Sequence, residues 1–580
     1  MKDTFPAYMP SPKVLALLRK EKHLTPTEAP QQLLERVVHA IFDVEVMFGT
    51  PPTEIRRVAE EFATYFVEGY LMLGGPTLYN AGRGKGALTS CVVIPCNLND
   101  KPASRQIIKS YFKQNMGSGF DFSPYTNPVA LLRWLNQLSG EETATGQYDR
   151  VIGNIGMLNV SHPRIRDFVD AKRHSEEFRY FNISINVTDE FMQKAEGGEM
   201  FTLSDGQRVH ASDLLDQMAE NAWYNGEPGI VFLERMNADN PVTDISPYTS
   251  IPPCGEMGMA AGETCQFGYV NLAKFSLDEK SKTIDYRTLG TVVTSLTRAL
   301  DNAIEYGLAY FPTAQSVDIA RLKRKIGIGV CGLADFLVTN GIAYDSPKAR
   351  SLARDILSFL NFTSKWASVR LAEQRGACVA MEYERENRYL SGRFLEDKFA
   401  GSPTQSVSTQ DWLDLANTIR RSGKLRNILT TALPPATISS FLETSPSIEP
   451  LFNIYEGDNH VRKSIKSFLA KTIKDPQLIE TVLQKAVAAD SFQSIADLPP
   501  DSLECLKTAK EISIAGHIQM VADLAGMHGV TDEAASKTVN VPNSATVEDI
   551  RNVFLSAYHL GLKNASVYRD KSRTYQPEKL

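Results

Sequence analysis

The stretch SIPPCGEMGM, Ser250 to Met259, places a thiol and a carboxylate two residues apart, at Cys254 and Glu256. Two prolines precede the cysteine, and each proline removes a backbone donor and fixes φ, which disfavours helix and strand interiors. We therefore predict a stiff, irregular loop that presents both groups. A second cysteine, Cys265, follows eleven residues after Cys254.

The chain has seven cysteines, which is too few for a disulfide scaffold in 580 residues. Such usage suits a reducing compartment, where any disulfide would be transient and catalytic. No CxxC occurs and no Cys/His cluster has zinc-site spacing, so a structural metal site is not expected. A lone cysteine is usually a small buried apolar residue, and we expect this of Cys96, Cys331, Cys378 and Cys505.

Composition limits the function classes. The chain is 43% hydrophobic and 22% charged, with a formal net charge of −6, so it lacks the basic surface expected of a duplex nucleic-acid binder. The first residues lack the apolar core of a signal peptide, and no apolar run approaches the roughly 18 residues of a membrane span. We expect a cytoplasmic protein.

The elements that must position the loop follow from hydrophobic periodicity. Residues 28–73 have apolar positions at helical spacing, and residues 346–432 are also predicted to be mostly helical. Between them, RYFNISINVTDEFMQKA, GIVFLERMN and RKIGIGVCGLADFLVTN each predict a strand followed by a helix. Near the end, Asn543 or Ser544 is predicted to start a helix over VEDIRNVFLSAYHLGL, with a strand at NASVYRD. Such alternation is typical of βα units around a parallel sheet or barrel.

Four pieces in this order resemble one family: GGPTLYNAGRGKGALTSC, PPCGE…C…VNLAKF, LPPATISS…SPSIEP and SKTVNVPNSATVEDI…GLKNASVYRD. They resemble the catalytic subunit of ribonucleotide reductase, and the last piece is most similar to the adenosylcobalamin-dependent class II enzymes. The resemblance implies a ten-stranded α/β barrel with a finger loop through its centre. We expect a helical N-terminal region at 1–73, the catalytic barrel at 74–455, and a barrel completion and tail at 456–580.

The resemblance also implies the catalytic roles. Cys254 would carry the thiyl radical that abstracts the 3′-hydrogen, and Glu256 would be the base for the 3′-hydroxyl. Cys91 and Cys265 would supply two electrons by closing a disulfide. Without the resemblance, Cys91 would be interpreted as a buried strand cysteine and Cys265 as a loop thiol.

Substrate contacts are implied at Thr77 and Ser90, at Gly117 in a glycine turn, and along LPPATISS. The last segment is predicted to be a proline-stiffened turn that enters a helix, whose N-terminus is an anion site. The alternative is a capped helix start without a ligand. The residues predicted to bind substrate in this segment are Pro434, Ala436, Thr437, Ile438 and Ser439.

Three departures from the family pattern stand out. Pro252 occupies the position of the usual asparagine, and proline has neither a side-chain amide nor a backbone N–H. Pro435 stands where a hydroxyl residue is common. No cysteine follows Cys505, so an external dithiol or a thioredoxin-like protein would have to reduce the active-site disulfide. We also expect no ATP cone, and the segment 124–153 is shorter than the family's effector region.

Of the three radical sources in such enzymes, adenosylcobalamin is favoured over a partner metalloprotein or a glycyl radical. The partner route uses adjacent tyrosines, whereas here Val567 precedes Tyr568. The expected substrate is a ribonucleoside di- or triphosphate, and the expected protein is a monomer or homodimer. Two alternatives remain: a divergent radical enzyme that acts on another nucleotide-like substrate, and an inactive nucleotide-binding homologue.

Overall fold

The computed structural model describes residues 5–146, 153–173, 176–278, 280, 283–456 and 460–572. Its α-helices are α1 (Pro12–Lys20), α2 (Pro30–Phe42), α3 (Pro52–Val67), α4 (Gly75–Asn80), α5 (Lys101–Phe112), α6 (Pro128–Ala144), α7 (Ile165–Val169), α8 (Asp189–Gly197), α9 (Ala211–Asn225), α10 (Leu233–Ala238), α11 (Tyr286–Gly307), α12 (Ala314–Lys323), α13 (Leu333–Thr339), α14 (Pro347–Arg375), α15 (Arg388–Ser391), α16 (Thr409–Ser422), α17 (Lys463–Thr472), α18 (Pro476–Ala489), α19 (Pro500–Cys505), α20 (Ile514–Ala525) and α21 (Val547–His559).

The strands are β1 (Leu71–Leu73), β2 (Cys91–Val93), β3 (Gly117–Asp121), β4 (Asn154–Asn159), β5 (Phe181–Asn186), β6 (Met200–Thr202), β7 (Arg208–His210), β8 (Gly229–Val231), β9 (Thr264–Cys265), β10 (Phe267–Asn271), β11 (Gly327–Cys331), β12 (Tyr455–Glu456), β13 (His460–Val461), β14 (Thr538–Val541) and β15 (Asn564–Arg569). Short 3-10 helices occur at Asp43–Phe48, Asp170–Lys172, Glu176–Phe178, Leu272–Lys274, Val379–Glu382 and Thr437–Leu442, with a π-helical turn at Glu396–Ala400.

The largest sheet in the described part of the chain has eight strands, in the order β14-β15-β8-β5-β4-β3-β2-β9. Strands β2, β3, β4, β5 and β8 are parallel. At one end β9 pairs antiparallel with β2, and towards the other β15 pairs antiparallel with β8 and parallel with β14. The predicted α/β class, with helices between parallel strands, is confirmed.

A second sheet has the order β1-β10-β11, in which β10 and β11 are parallel. Two single parallel bridges, Ile328–Thr431 and Leu433–Ala535, extend it beyond β11. Gln266 alone separates β9 from β10, and Ala535 lies three residues before β14. The chain therefore connects both edge strands of the eight-stranded sheet, β9 and β14, directly to the second sheet and its bridged extension.

The three predicted strand–helix pairs are present as β5–α8, β8–α10 and β11–α13. Helix α8 begins after Thr188, whose hydroxyl accepts the N–H of Phe191 (3.1 Å). The predicted start of the last helix at Asn543 or Ser544 is wrong, because α21 begins at Val547. Thr546 accepts the N–H of Asp549 (3.2 Å), whose carboxylate accepts the N–H of Thr546 (2.7 Å); this capping box fixes the helix start.

The helices predicted over 28–73 are α2 and α3, joined by a 3-10 turn. Glu45 in that turn is fully buried and accepts hydrogen bonds from Arg298 (2.6 Å) of α11 and Arg375 (2.5 Å) of α14. Burial alone raises the pKa of a carboxyl, but these arginines outweigh burial and lower the pKa of Glu45 to about 2. The N-terminal region is therefore tied to later helices by buried charge pairs.

Residues 250–259 form a closed loop that packs against β3. Its ends are joined by hydrogen bonds from Ser250 N–H to Met259 carbonyl (3.1 Å) and from Met259 N–H to Ser250 carbonyl (2.9 Å). A Cβ built at Gly119 of β3 would lie only 2.1 Å from the carbonyl oxygen of Ile251. The loop backbone and the strand backbone can approach this closely only because position 119 has no side chain.

None of the helices in the described residues combines the length and apolar character needed to cross a membrane. The shortened segment noted in the sequence, 124–153, contains α6, but residues 147–152 lie outside the described residues.

We predict that Gly119→Ala lowers stability by about 1–3 kcal/mol or more, because the added methyl group must displace the loop backbone. Thermal unfolding checks this. The matched control is Gly153→Ala, since a Cβ at Gly153 would meet no atom within 4 Å. Equal melting temperatures for both variants would contradict the inferred contact.

Candidate active site

Cys254 lies at the tip of the loop, in a turn. The N–H of Gly255 donates to the carbonyl of Pro252 (2.9 Å), and Gly255 has φ of 70°, which glycine adopts without strain. The side-chain amide of Asn564, at the start of β15, donates to the carbonyls of Gly255 (2.6 Å) and Ala535 (3.1 Å). The peptide beside the thiol is therefore fixed by a turn and by an amide from a distant strand.

The base of the loop is held by buried charges. Tyr248 donates its hydroxyl to Glu533 (2.7 Å), and the ammonium groups of Lys323 and Lys325 lie 4.7 and 4.5 Å from its ring centre. Glu533 also accepts the N–H of Gly258 (3.2 Å), while Lys325 donates to the carbonyl of Gly258 (2.7 Å). Both backbone groups of Gly258 are therefore bound by charged side chains.

Glu263 completes this cluster by accepting hydrogen bonds from Lys323 (2.9 Å) and from the N–H of Ala260 (2.8 Å) and by pairing with Lys325 (2.9 Å). Burial alone raises the pKa of a carboxyl, but the two ammonium groups outweigh it and hold the pKa of Glu263 below its usual value. Burial lowers the pKa of Lys323 to about 8. Two lysines and two glutamates balance in charge, as a buried cluster requires.

The predicted redox thiols face each other. Cys91 of β2 and Cys265 of β9 are register partners in an antiparallel pair. Directly opposite residues in such pairs have Cα atoms about 4.5–5.5 Å apart, within the range that a disulfide spans. The two sulfurs and a carboxylate oxygen of Glu256 all lie within 4.8 Å of one another. The fold therefore brings together three of the four predicted catalytic residues.

This cluster is buried, and burial determines the protonation of Cys265. Burial, followed by the proximity of Cys91, raises the pKa of Cys265 well above its usual value. Cys265 therefore carries its proton at neutral pH. Two sulfurs and a carboxylate are also a set that could hold a metal ion, which would bind the thiolate form.

Gly117 separates the dithiol from the loop tip. A Cβ built at Gly117 would lie 3.1 Å from the sulfur of Cys91 and 3.2 Å from Cγ of Pro253, the residue before Cys254. The predicted radical cysteine and the redox pair therefore lie on either side of a strand position without a side chain.

Tyr269 of β10 is a buried residue of this site that the sequence did not indicate. Burial raises the pKa of its hydroxyl well above the usual value, and the nearby Glu256, Cys265 and Cys254 raise it further. Tyr269 therefore keeps its proton at neutral pH.

Thr77 and Ser90 lie beside the dithiol strand but differ in accessibility. Thr77 is 1% exposed, and its hydroxyl donates to the carbonyl of Leu88 (2.9 Å) and accepts from the amide of Gln266 (3.4 Å). Ser90 is half-buried, and its carbonyl accepts the N–H of Gly117 (2.9 Å). The hydroxyl of Thr77 is thus engaged inside the protein.

The segment LPPATISS forms less helix than predicted. It enters a 3-10 helix of six residues, Thr437–Leu442, and the capping residue Ala436 makes no side-chain hydrogen bond. Pro434 is packed against Gly329 of β11, where an added Cβ would lie 2.7 Å from its ring. Thr437 is exposed, whereas Ile438 and Ser439 are buried. The anchored prolines, followed by Ala436 with no capping side chain, account for the short helix.

A cavity of about 460 Å³ opens beside Cys254, which is itself exposed and forms part of its wall. Strands β4, β5, β8, β14 and β15 and the loop 446–452 contribute the rest of the wall. The polar side chains that line it include Asn182, Ser184, Glu449, Asn540, Ser566 and Tyr568. The thiol at the loop tip can therefore be reached from the cavity.

The remaining cysteines have no part in this cluster. Cys331, Cys378 and Cys505 are buried, as expected of small apolar residues, whereas Cys96 is only half-buried.

Sequence reasoning missed Asn564, Tyr248, Glu533 and Lys325 as well as Tyr269. Asn564 and Gly255 are 309 positions apart, and Tyr248 and Glu533 are 285 apart. No local spacing could pair residues at such separations. The one available signal was the position of Asn564 as the first residue of the predicted strand NASVYRD.

Comparison with known proteins agrees with this geometry. The family model described as ribonucleotide reductase, barrel domain, matches residues 122–568. The chain therefore belongs to the ribonucleotide reductase family, which confirms the resemblance found in the sequence.

Curated relatives include a vitamin B12-dependent ribonucleoside-diphosphate reductase of Mycobacterium tuberculosis (strain CDC 1551 / Oshkosh), 30% identical over 95% of this chain and 77% of the relative. A protein of the same name from Thermoplasma acidophilum is 29% identical over 86% of this chain and 64% of the relative. Among solved structures, the Actinobacillus ureae class Id ribonucleotide reductase alpha subunit superposes with a TM-score of 0.75 over 97% of both chains. At 18% identity, that likeness concerns the fold alone.

We predict that Lys325→Met lowers stability by about 3–5 kcal/mol, because it leaves Glu533 and Glu263 short of a buried partner. Chemical unfolding checks this. The control is Glu54→Gln, which removes an exposed pair with Arg57 and is expected to cost no more than about 1 kcal/mol. A Lys325→Met protein as stable as wild type would contradict the role of the cluster.

Proposed function

We propose that this chain reduces ribonucleotides to 2′-deoxyribonucleotides by thiyl-radical chemistry at Cys254, with adenosylcobalamin as the radical source. The observation that carries the proposal is the buried cluster of Cys91, Glu256 and Cys265 beside the loop tip that holds Cys254. Two neighbouring thiols, a carboxylate and a third, accessible thiol are the groups that this reaction requires.

The proposed steps balance as follows. Cys254, as a thiyl, takes the hydrogen atom from C3′ of the ribose, and Glu256 accepts the proton of the 3′-hydroxyl. The 2′-hydroxyl leaves as water, and Cys91 and Cys265 together supply two electrons and two protons as they close a disulfide. Cys254 then returns the hydrogen atom to C3′, and Glu256 returns its proton to the 3′-oxygen. One ribonucleotide and one dithiol yield one deoxyribonucleotide, one disulfide and one water.

The cavity beside Cys254 is a candidate binding site for the cofactor. Its volume of about 460 Å³ is enough for the adenosyl group and well below that of the whole cofactor, so the cavity would take only the nucleoside end. The hydroxyl of Tyr568 on its wall is buried and has no hydrogen-bond partner within the described residues. Asn182, Ser184 and Asn540 would hold the group together with Tyr568. When bound, adenosylcobalamin supplies a carbon-centred radical that accepts the hydrogen atom of a thiol.

The two curated relatives reported above are named as vitamin B12-dependent, which supports this cofactor, and as ribonucleoside-diphosphate reductases. We therefore propose a ribonucleoside diphosphate as substrate and an external or thioredoxin-like dithiol as reductant. We also propose that the five parallel strands β2, β3, β4, β5 and β8 form a ten-stranded barrel with five further segments, which are β9–β10 taken as one, β11, the bridged segment 431–433, β14 and β15, and that residues 250–259 are its finger loop.

We also propose the contacts to the substrate's phosphates that the sequence predicts. Exposed Thr437 at the start of the 3-10 helix and half-buried Ser90 support these contacts, whereas Gly117 is buried between Cys91 and Pro253 and would contribute only by leaving the strand without a side chain there. Buried Thr77 would position the neighbouring backbone. Pro434, Ala436, Ile438 and Ser439 would shape the segment.

We predict that Cys254→Ser abolishes product formation, because a serine hydroxyl does not form a comparable radical. The assay supplies purified protein with adenosylcobalamin, a dithiol and each ribonucleoside diphosphate, and scores deoxynucleotide. Cys505→Ser, buried far along the chain, is the control and should retain wild-type turnover. Product from Cys254→Ser would overturn the assigned radical position. Nucleotide binding without product in the wild-type protein would favour the inactive homologue.

We predict that wild-type protein without added reductant makes at most one deoxynucleotide per chain and loses two titratable thiols as it does so. The variants Cys91→Ser and Cys265→Ser should each form no deoxynucleotide under multiple-turnover conditions, because neither variant can close the disulfide. Quantitative thiol titration after a single turnover measures this. An unchanged thiol count with product formed would show that the electrons come from elsewhere.

A further inference from the structure

Glu449 and Lys537 line one part of the cavity wall, and Lys537 is hydrogen-bonded to the buried His517. The proposed reaction uses none of these three side chains. The carboxylate of Glu449 lies 2.5 Å from the ammonium of Lys537 and accepts the N–H of Thr538 (3.3 Å). Lys537 also donates to the carbonyl of Thr538 (2.7 Å) and to Nδ1 of His517 (2.9 Å). All three ammonium hydrogens of Lys537 therefore have acceptors.

His517 is fully buried and is held in one tautomer. Its Nε2–H donates to the carbonyl of Ala509 (2.9 Å), so Nδ1 is left as an acceptor for Lys537. Burial, together with the charge of Lys537, lowers the pKa of His517 to about 3. A neutral imidazole thus fixes the ammonium, and the ammonium fixes one oxygen of Glu449.

The loop that carries Glu449 is also held tightly. The N–H of Ser445 donates to Asp335 (2.6 Å), and the hydroxyl of buried Tyr344 donates to the carbonyl of Ile448 (2.5 Å). Ser447 has φ of 46°, a conformation that costs energy outside glycine and persists only where the surroundings enforce it. The carboxylate is therefore presented by a rigid segment.

Glu449 retains acceptor capacity towards the cavity. An ionised carboxylate has about four lone-pair sites, and the described protein donors occupy two of them. The side chain is 23% exposed and lines the same cavity as Cys254. Acidic side chains recognise ribose by accepting its hydroxyl hydrogens, as in dinucleotide-binding folds. A pre-oriented carboxylate with two open acceptor positions suits a vicinal diol.

The other two cavity-lining carboxylates that the structure describes are less suited. Glu227 is 6% exposed, and its oxygens accept hydrogen bonds from Lys172 (2.8 Å) and the N–H of Ile183 (2.9 Å). Asp570, which directly follows β15, is exposed. The buried Lys537 pairs with Glu449 instead. Only Glu449 combines a fixed orientation with open acceptors.

We propose that Glu449 binds the ribose hydroxyls of the adenosyl group, with Lys537 and His517 as positioning residues. This assignment rests on the cofactor proposed above and names the residue that selects its nucleoside portion. It assigns Lys537 and His517 to holding the carboxylate, with no part in the radical chemistry.

Equilibrium binding of three cobalamins tests the assignment without an activity assay. They are adenosylcobalamin, its 2′,3′-dideoxyadenosyl analogue and methylcobalamin, which has a methyl group in place of the adenosyl ligand. Wild-type protein should bind adenosylcobalamin at least about tenfold more tightly than the dideoxy analogue, since hydrogen bonds to a charged acceptor are lost. Glu449→Gln should reduce this preference to near unity and leave methylcobalamin affinity unchanged. Lys537→Met should reduce the preference partly.

Asp570→Asn is the matched control, because it neutralises a second carboxylate of the same cavity, and it should keep the full preference. Equal binding of the two adenosyl compounds by wild-type protein would overturn the assignment, whatever the folding of any variant. So would a loss in Asp570→Asn with Glu449→Gln unchanged, or an equal loss for all three cobalamins in Glu449→Gln. Failure of wild-type protein to bind adenosylcobalamin at all would instead refute the cofactor of the proposed function.

Discussion

The contact between the loop 250–259 and β3 is the constraint on which the site depends. The carbonyl of Ile251 approaches the strand at a distance that only a glycine at position 119 permits, and Gly117 leaves a second gap between Pro253 and Cys91. Side chains at either strand position would separate the loop from the dithiol. Backbone sterics thus decide how near Cys254 comes to its reductants, and the surrounding elements serve to keep the loop there.

Buried charged side chains hold both ends of the loop in place. Lys323, Lys325, Glu263 and Glu533 neutralise one another around Tyr248 and bind the backbone of Gly258. Such clusters add little net stability compared with apolar packing, because desolvation offsets the attraction. Their value here is directional: hydrogen bonds fix the peptide planes of a loop that has few regular backbone partners. At the tip, Asn564 acts similarly with a neutral amide.

The thiols occupy contrasting environments that suit contrasting tasks. Cys265 is buried, and its raised pKa keeps the proton that the leaving hydroxyl needs. Cys254 is exposed to a cavity, where a radical source can reach it. The same loop carries Glu256 into the buried side and Cys254 towards the open side, two residues apart. In the proposed reaction, this separation would let radical generation and sugar reduction use different faces of one loop.

The sequence by itself determined the α/β alternation, the loop character of SIPPCGEMGM and, through ordered motifs, the family. These are local properties: proline geometry, hydrophobic period and short residue patterns act over a few positions. Tertiary structure alone decided that Cys91 faces Cys265, that Asn564 and Glu533 hold the loop, and that Glu449 shares a cavity with Cys254. It also decided that Thr77 is engaged internally and that LPPATISS leads into a short 3-10 helix. Contacts across hundreds of residues depend on strand register and on the space left by particular glycines, and neither is encoded by spacing along the chain.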